Sequence, residues 1–353
     1  RFDSLRETQA SMAVESRKLS HLGLTKIPRR STLSDANKRR PEEVFGAIYS
    51  TLYHKYKGVL SSDSRNHRSD PGWLKKLKIM DSTTISLFSN IVFKGVGRNP
   101  KRGKKKGGLK VHAIINANEG VPCDVQYTSA ATHDHFLLCP SKLNRDDIIA
   151  LDRAYINYDK FEEMTHRGIV YVTKMKKNLV FEVLDDVIYQ NRCGKMAVRV
   201  QHIVFTKKTK EVIIKHHARI ITYPDIQKKK LISLLTNDFE MPQEDIIEIY
   251  RRRWIIESLF KQLKQNFPLR YFYGESANAI KIQVWCTLIA NLLLMLIKCS
   301  VRKSWSFSGL ATMIRILMMY YVNYKSILEY PERDWDVMIE EVIRPPNHPS
   351  LFD

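Results

Sequence analysis

The sequence predicts an α/β protein, with strands and helices alternating first and helices dominating the last hundred residues. Three observations lead there. Apolar runs of strand length recur between residues 77 and 238, among them "DIIALD", "IVYVTKM" and "KLISLLTND". Between them stand helical patterns with start and stop residues, such as "PEEVFGAIYSTLYHKY" and "YDKFEEMTHRG". With 353 residues, 44% of them hydrophobic and 10% aromatic, the chain can bury a sizeable core and does not read as disordered.

Taken in order, residues 1 to 70 mix short apolar groups with basic clusters such as "KIPRRSTLSDANKRR". A helix follows from Pro41, whose ring suits a first turn and which precedes two glutamates. In "LKKLKIMD", Leu77 and Ile79 alternate with Asp81 next on the same face, which predicts a strand ending on an acid. Residues 94–110, "KGVGRNPKRGKKKGGLK", hold five glycines, eight cations and no acid, a flexible basic loop without a phosphate-cradling motif. "KVHAIINANEGVPCDVQYT" reads as a hairpin about "NANEG". "DIIALDRAY" is an apolar strand ending on a second acid, Asp152. A short helix closed by Gly168 leads to the strand "IVYVTKM". From 176 to 223 the pattern is β-rich, with "MAVRVQHIVF" and "EVIIKHHARIITY" flanking "TKKTK" as a hairpin. "KLISLLTND" is another strand. Pro242, Glu244 and Asp245 then start one long helix, which Pro268 ends.

Composition narrows the partners. Lysine and arginine number 58 against 37 acids, a formal net charge of +21, more than solubility requires and suited to a polyanion such as nucleic acid. Five cysteines, odd in number and without a C-x-x-C pair, point to a reducing compartment rather than a disulfide framework. No signal peptide opens the chain, which begins at Arg1 rather than Met, so an upstream segment is expected. The apolar run from Ile282 to Ile297 contains Gln283, Thr287 and Asn291 and is short for a membrane span; a buried core helix is expected.

One stretch concentrates the chemistry: "YRRRWIIESLFKQLK", Tyr250 to Lys264. On a continuous helix counted from Tyr250, Arg253 falls at about 300°, Glu257 at about 340° and Lys264 at about 320°. These share one arc with Tyr250. Trp254 borders it, while Ile255, Ile256, Leu259 and Leu263 form a separate apolar face. An exposed Arg253–Glu257 pair is the plain explanation, worth only ~0.3–0.5 kcal/mol. Asp81 and Asp152 argue for more: two acids at strand ends followed by a helical glutamate, in a strongly basic chain, fit a single site. Hard divalent cations prefer carboxylate oxygens, and two such ions suit phosphoryl transfer.

Tyr250, Arg253, Glu257 and Lys264 make the pattern Y-(2)-R-(3)-E-(6)-K. Together with "MDSTTI" at Asp81 and "LDRAY" at Asp152, it resembles the signature of bacterial insertion-sequence DDE transposases of the hairpin-forming IS-four family. "KVH" at 110–112, "HD" at 133–134 and "LTND" at 235–238 resemble further family positions, and the similarity runs from about residue 15 to about 330. The resemblance implies an RNase H-like core, with Asp81 on its first strand, Asp152 on its fourth and Glu257 on a later helix behind a β-rich insertion. It implies that Asp81, Asp152 and Glu257 are both the catalytic acids and the ligands of two Mg²⁺ (or Mn²⁺) ions. Tyr250, Arg253 and Lys264 match residues that hold phosphates near the cut, and Trp254 matches an aromatic that distorts the terminal bases. Two positions depart from the family: Ala154 stands where a glycine is usual, and the nearest aromatic to a second base-stacking tryptophan is Tyr223.

The expected organisation is an N-terminal helical DNA-binding segment over 1–70 and a catalytic domain over 71–320. The β-rich insertion at 176–235 interrupts that domain, and a tail follows at 321–353. The expected function is metal-dependent cleavage and strand transfer of element ends through hairpin intermediates. The partner would be double-stranded DNA, with a homodimer in the synaptic complex, no membrane and a bacterial cytoplasmic setting. Lys104, Lys105 and Lys106 are expected DNA contacts because consecutive cations on glycine-rich backbone suit phosphate. Rival readings are a catalytically inactive DNA-binding protein of the same fold and a nuclease that does not join ends. Among lesser candidates, "HDH" at 133–135 is expected to be structural or to support the site from behind. His112 is expected to be a satisfied buried histidine, and His216 and His217 to lie on the surface.

Overall fold

Strand runs and caps sort themselves around one extended sheet. The computed structural model describes residues 4–15, 19–20, 23–61, 71–86, 97–98, 106–130, 132–176, 178–190, 197–208, 213–225, 229–267, 269, 271–318 and 323–331. The strands are β1 (Leu77–Ser86), β2 (Gly97–Arg98), β3 (Lys106–Asn116), β4 (Pro122–Ser129), β5 (Ile148–Leu151) and β6 (Val170–Lys174). They continue with β7 (Glu182–Gln190), β8 (Ala197–Lys208), β9 (Ile213–Asp225) and β10 (Lys230–Thr236). The order across the sheet is β2-β3-β1-β5-β6-β10-β9-β8-β7, with β4 also paired to β3.

At its centre β1, β5 and β6 run parallel. Parallel strands are covered on both faces, and β5 obeys: all four of its residues are buried. The crossover from β5 to β6 carries helix α4 (Tyr158–His166), which buries Phe161 and Met164 and ends at Gly168 with φ +67°. A glycine is favoured there because the left-handed conformation strains any Cβ. Phe161 stacks on Tyr171 of β6 at 4.0 Å, inside a core cluster that also contains Met80, Leu151, Tyr155 and Phe205.

The N-terminal helices are α1 (Leu5–Val14), α2 (Arg30–Arg39) and α3 (Glu42–Ser61). After the sheet come α5 (Gln243–Arg252), α6 (Trp254–Asn266), α7 (Ala277–Ser300), α8 (Phe307–Leu317) and α9 (Tyr324–Glu329). Glu42 at the start of α3 is buried and accepts hydrogen bonds from Lys281 Nζ (2.8 Å) and Trp285 Nε1 (2.6 Å) of α7. A Cβ on Gly46 would lie 3.1 Å from the Trp285 ring, so this close approach favours glycine. Tyr49 donates to the Pro122 carbonyl at 2.6 Å, tying α3 to the hairpin. Long and apolar enough to cross a membrane by length and composition, α7 nonetheless engages its first half through Asn278, Lys281, Gln283 and Trp285, the use a core helix makes of such positions. The chain divides into two compact units, residues 1–289 and 290–353; in the second, Val301, Leu310 and Leu328 form a small core.

Several expectations change. Asp81 does not end its strand: β1 runs on to Ser86 because β3 pairs with it from Asp81↔Ala113 to Ser86↔Gly108. The single long helix breaks at Arg253 into α5 and α6, where the Arg253 N–H bonds the Tyr250 carbonyl three residues back. Beyond what the β-rich pattern of 176–235 specified, the structure joins this segment to the central sheet, since β10 pairs with β6 and carries β9, β8 and β7 outward. The ends of the basic loop are strand: Gly97 and Arg98 pair with Gly107 and Lys106. Lys106 opens β3, while Lys104 and Lys105 lie outside the described residues. His216 is fully buried, bridging Tyr171 Oη (2.7 Å) and Glu162 Oε2 (2.5 Å), and only His217 is exposed. Alternation on β9 points one of two adjacent histidines inward.

Candidate active site

Parallel register brings the two aspartates together. On β1 and β5 the last paired residues are Met80 and Leu151, both buried in the core. Asp81 is the next residue of β1 and Asp152 the first residue after β5, and neighbouring strands lie ~4.8 Å apart. Side chains alternate along a strand, so Asp81 turns away from the core that holds Met80. Asp152 caps the short 3₁₀ turn Arg153–Tyr155, its Oδ1 accepting from the Ala154 N–H at 2.9 Å. The pair sits where open α/β sheets present ligand crevices, at the carboxyl end of a parallel strand.

Helix α6 supplies the third acid. It packs on β1 and buries Ile256, Leu259, Phe260 and Leu263. Burying each large apolar side chain contributes about 1.5–3 kcal/mol, several times the worth of an exposed ion pair. Packing therefore decides where the helix lies, and Glu257, on the flank of that face, follows. Together with Asp81, Ser82, Thr83, Lys261 and Lys264 it lines an open cleft of about 490 Å³.

Arg253 stands between the acids. It is 7% exposed; Nη1 donates to Asp81 Oδ2 at 3.2 Å and Nη2 to Glu257 Oε1 at 2.5 Å. Its Cζ lies 5.5 Å from the Tyr250 ring centre and 5.8 Å from that of Trp254, which is 55% exposed. The break between α5 and α6 places Tyr250 and Glu257 on separate helices; with Arg253 at the junction, all three still meet. Burial pushes the Asp81 carboxyl up to about 6; the charges of Asp152 and Glu257 add to the rise, while the Ser82 N–H and Arg253 oppose it. Burial likewise raises the Tyr250 phenol, with Asp152 and Glu257 adding and Arg253 opposing. Three acids, a phenol and a guanidinium thus act on one another as one electrostatic unit.

Among the described residues no three His, Cys, Asp or Glu side chains converge on a single ion position. The donor set still fits Mg²⁺ or Mn²⁺, because such ions take one or two carboxylates and complete their shells with water and substrate phosphates. His133 and His135 flank Asp134 with their rings 5.9 Å apart. Asp134 is the member that reaches the site, accepting from Ser82 Oγ at 3.1 Å and Lys110 Nζ at 3.0 Å. His112 is satisfied as expected: Nε2 lies 2.8 Å from Thr128 Oγ1 and Nδ1 3.3 Å from Tyr155 Oη, and burial holds its pKa down to about 4. Tyr223 is buried, so its ring face is not offered to a base. Ser82 and Tyr155 escaped sequence reasoning; the only signal was their place within "MDSTTI" and "LDRAY".

A strongly basic chain with Asp81 and Glu257 lining one cleft, and Asp152 at the end of the neighbouring parallel strand, has features suited to work on DNA. The Transposase DDE domain family matches residues 72–293, a span that includes Asp81, Asp152 and Glu257. The chain belongs to that family, and by class it is a DNA transposase, an enzyme of DNA cleavage and strand transfer. It is 25% identical, over 75% of its length and 66% of the relative's, to a probable transposase for insertion sequence element IS5377 of Geobacillus stearothermophilus. It is 27% identical to the putative transposase y4zB of Sinorhizobium fredii, over 76% and 71% of the two chains. A putative transposase for insertion sequence element IS4SA of Synechocystis is 26% identical over the same shares. The chain thus spans about two thirds of the length of these relatives. A cryo-EM structure of the piggyBac transposase synaptic complex with hairpin DNA is similar over 80% of this chain and 59% of its own, with 11% identity and a TM-score of 0.39. That likeness is too distant to define the fold in detail.

Proposed function

We propose that the chain cuts and joins the ends of its own insertion sequence with Asp81, Asp152 and Glu257 as the catalytic carboxylates, on an RNase H-like core. The observation that supports this reading is a pair of links among acids separated along the chain by 71 and 105 residues: the Met80–Leu151 register sets Asp81 beside Asp152, and Arg253 bonds both Asp81 and Glu257. Enzymes of this family use divalent metal ions; two Mg²⁺ or Mn²⁺ ions held by these carboxylates would activate the attacking oxygen and stabilise the leaving one. The protein's own part is to bind and orient. Lys264 in the cleft and Lys104, Lys105 and Lys106 hold phosphates, Arg253 and Tyr250 fix the phosphodiester beside the acids, and Trp254 supports the distorted terminal bases. The helices of residues 1–70 read the element end, two chains pair the two ends, and cleavage proceeds through hairpins in the bacterial cytoplasm.

The test is a labelled duplex of the element end with Mg²⁺ or Mn²⁺. Asp81→Asn, Asp152→Asn and Glu257→Gln are each expected to abolish nicking while DNA binding persists. Near-normal nicking by any one of them removes that residue from the set. Binding without cleavage by the unaltered chain would favour an inactive DNA-binding protein, and cleavage without joining a simple nuclease.

A further inference from the structure

Beside the acids runs a chain of polar side chains, half-buried at Ser82 and Asp134 and buried at His112 and Tyr155, that the chemistry above does not use. Ser82 and His112 face each other across the β1–β3 register. The Ser82 N–H donates to Asp81 Oδ1 at 2.8 Å, and its hydroxyl donates to Asp134 Oδ1 at 3.1 Å. Asp134 is fixed in turn by Lys110 Nζ at 3.0 Å, and the same ammonium donates to the Thr132 carbonyl at 2.9 Å. His112 Nδ1 lies 3.7 Å from Asp134 Oδ1 and 3.3 Å from the hydroxyl of Tyr155, whose side chain is fully buried. Tyr155 closes the turn that Asp152 caps, its N–H bonding the Asp152 carbonyl at 3.0 Å. One end of the chain therefore grips the residue after Asp81, and the other grips the turn that begins at Asp152.

Main-chain pairing does not do this work. The parallel ladder stops at Met80 and Leu151, one residue short of both acids. Beyond it, the segments bearing Asp81 and Asp152 are linked by the side chains of Ser82, Asp134, His112 and Tyr155, hydrogen-bonded from Ser82 to Asp134 and from His112 to Tyr155, with a 3.7 Å polar contact between Asp134 and His112. We infer that these four form a positioning brace that sets the separation of the Asp81 and Asp152 carboxylates for metal binding. None of the four is a metal ligand in this inference, which rests on the two-metal reading of the site. Partners that orient metal-bound carboxylates typically matter by 10–100-fold in metal affinity when removed.

The probe is Mn²⁺, titrated by its electron paramagnetic resonance signal into the full chain bound to a precut element-end duplex whose cut strand lacks its 3′-hydroxyl. Ser82→Ala, Asp134→Asn and Tyr155→Phe are expected to weaken Mn²⁺ binding by roughly 10–100-fold. Ser82→Thr, which keeps the hydroxyl, is expected to stay within about threefold of the unaltered chain. DNA affinity without metal is expected to change by less than about twofold; general damage to the fold would lower both. Tyr155→Phe removes one oxygen from a packed ring, so it remains informative if Asp134→Asn does not fold. Unchanged Mn²⁺ affinity in Ser82→Ala and Tyr155→Phe overturns the brace, as does a Ser82→Thr variant as weak as Ser82→Ala. Failure of the two-metal reading looks different: the unaltered chain and Asp81→Asn would bind Mn²⁺ equally poorly, and the brace would fall with it.

Discussion

Arg253 donates to Asp81 at 3.2 Å, a contact between residues 172 apart in sequence, and the same guanidinium also holds Glu257. A residue expected to grip phosphate is thus paired with two of the three acids. Its cation bonds carboxylates that would also hold a metal ion, and the helix break falls at this residue.

Arg253→Gln is therefore expected to bind Mn²⁺ more tightly than the unaltered chain when DNA is absent. The expected gain is on the order of tenfold, since relieving ~1.4 kcal/mol of repulsion is a factor of ten. Cleavage is expected to fall in the same variant, because the guanidinium fork no longer meets the phosphodiester. Calorimetric titration with Mn²⁺, set beside a nicking assay, checks both; weaker metal binding in Arg253→Gln would refute the competition.

Asp81 predicts a pH-dependent stability. Its carboxyl is pushed from the ordinary 3.8 up to about 6, so the folded chain binds the proton more tightly than the unfolded chain does. Stability from this group is then fully present below about pH 4 and is lost as pH rises through 6. Asp81→Asn is expected to be more stable than the unaltered chain at pH 7.5 by about 1–3 kcal/mol. The difference should vanish near pH 4. Urea unfolding at both pH values measures it, and a less stable variant at pH 7.5 would mean that the lost Arg253 pair outweighs the relieved burial.

Trp254 separates two steps of the reaction. Hairpin formation requires the duplex end to unstack, and an aromatic face holding a displaced base contributes roughly 1–3 kcal/mol. Trp254 is 55% exposed beside Arg253, in position to do so. Trp254→Ala is expected to lower hairpin yield about tenfold while nicking changes little. In Arg253→Ala the nick itself should suffer, because that side chain contacts two acids directly. A gel time course on a labelled end resolves the steps; equal loss of both in Trp254→Ala would leave that ring only a positioning role.

Replacing Lys104, Lys105 and Lys106 by alanine is expected to weaken binding to all duplexes about equally. For each lysine that neutralises a phosphate, its removal should lower the salt slope by ~0.9. Fluorescence anisotropy between 50 and 200 mM salt, roughly the useful range, reads that slope. An unchanged slope would show that the three lysines are solvated and touch no DNA.

Strand and helix runs, the caps at Pro41 and Gly168 and the cationic excess are all legible in the amino-acid order, because periodicity, caps and charge are local properties visible within a window of a few residues. Where those pieces begin, end and touch depends on the folded chain. β1 outruns Asp81 because β3, about thirty residues later, pairs with it. A helix that periodicity draws as continuous breaks at Arg253, where the guanidinium reaches two acids on different elements. His216 is buried and His217 exposed because the register of β9 against β8 and the reach of Glu162 pick one face. The brace of Ser82, Asp134, His112 and Tyr155 joins residues 43 and 52 positions apart. No local propensity records such partners. They follow from strand register and from the demand that polar groups carried into the core find hydrogen bonds there.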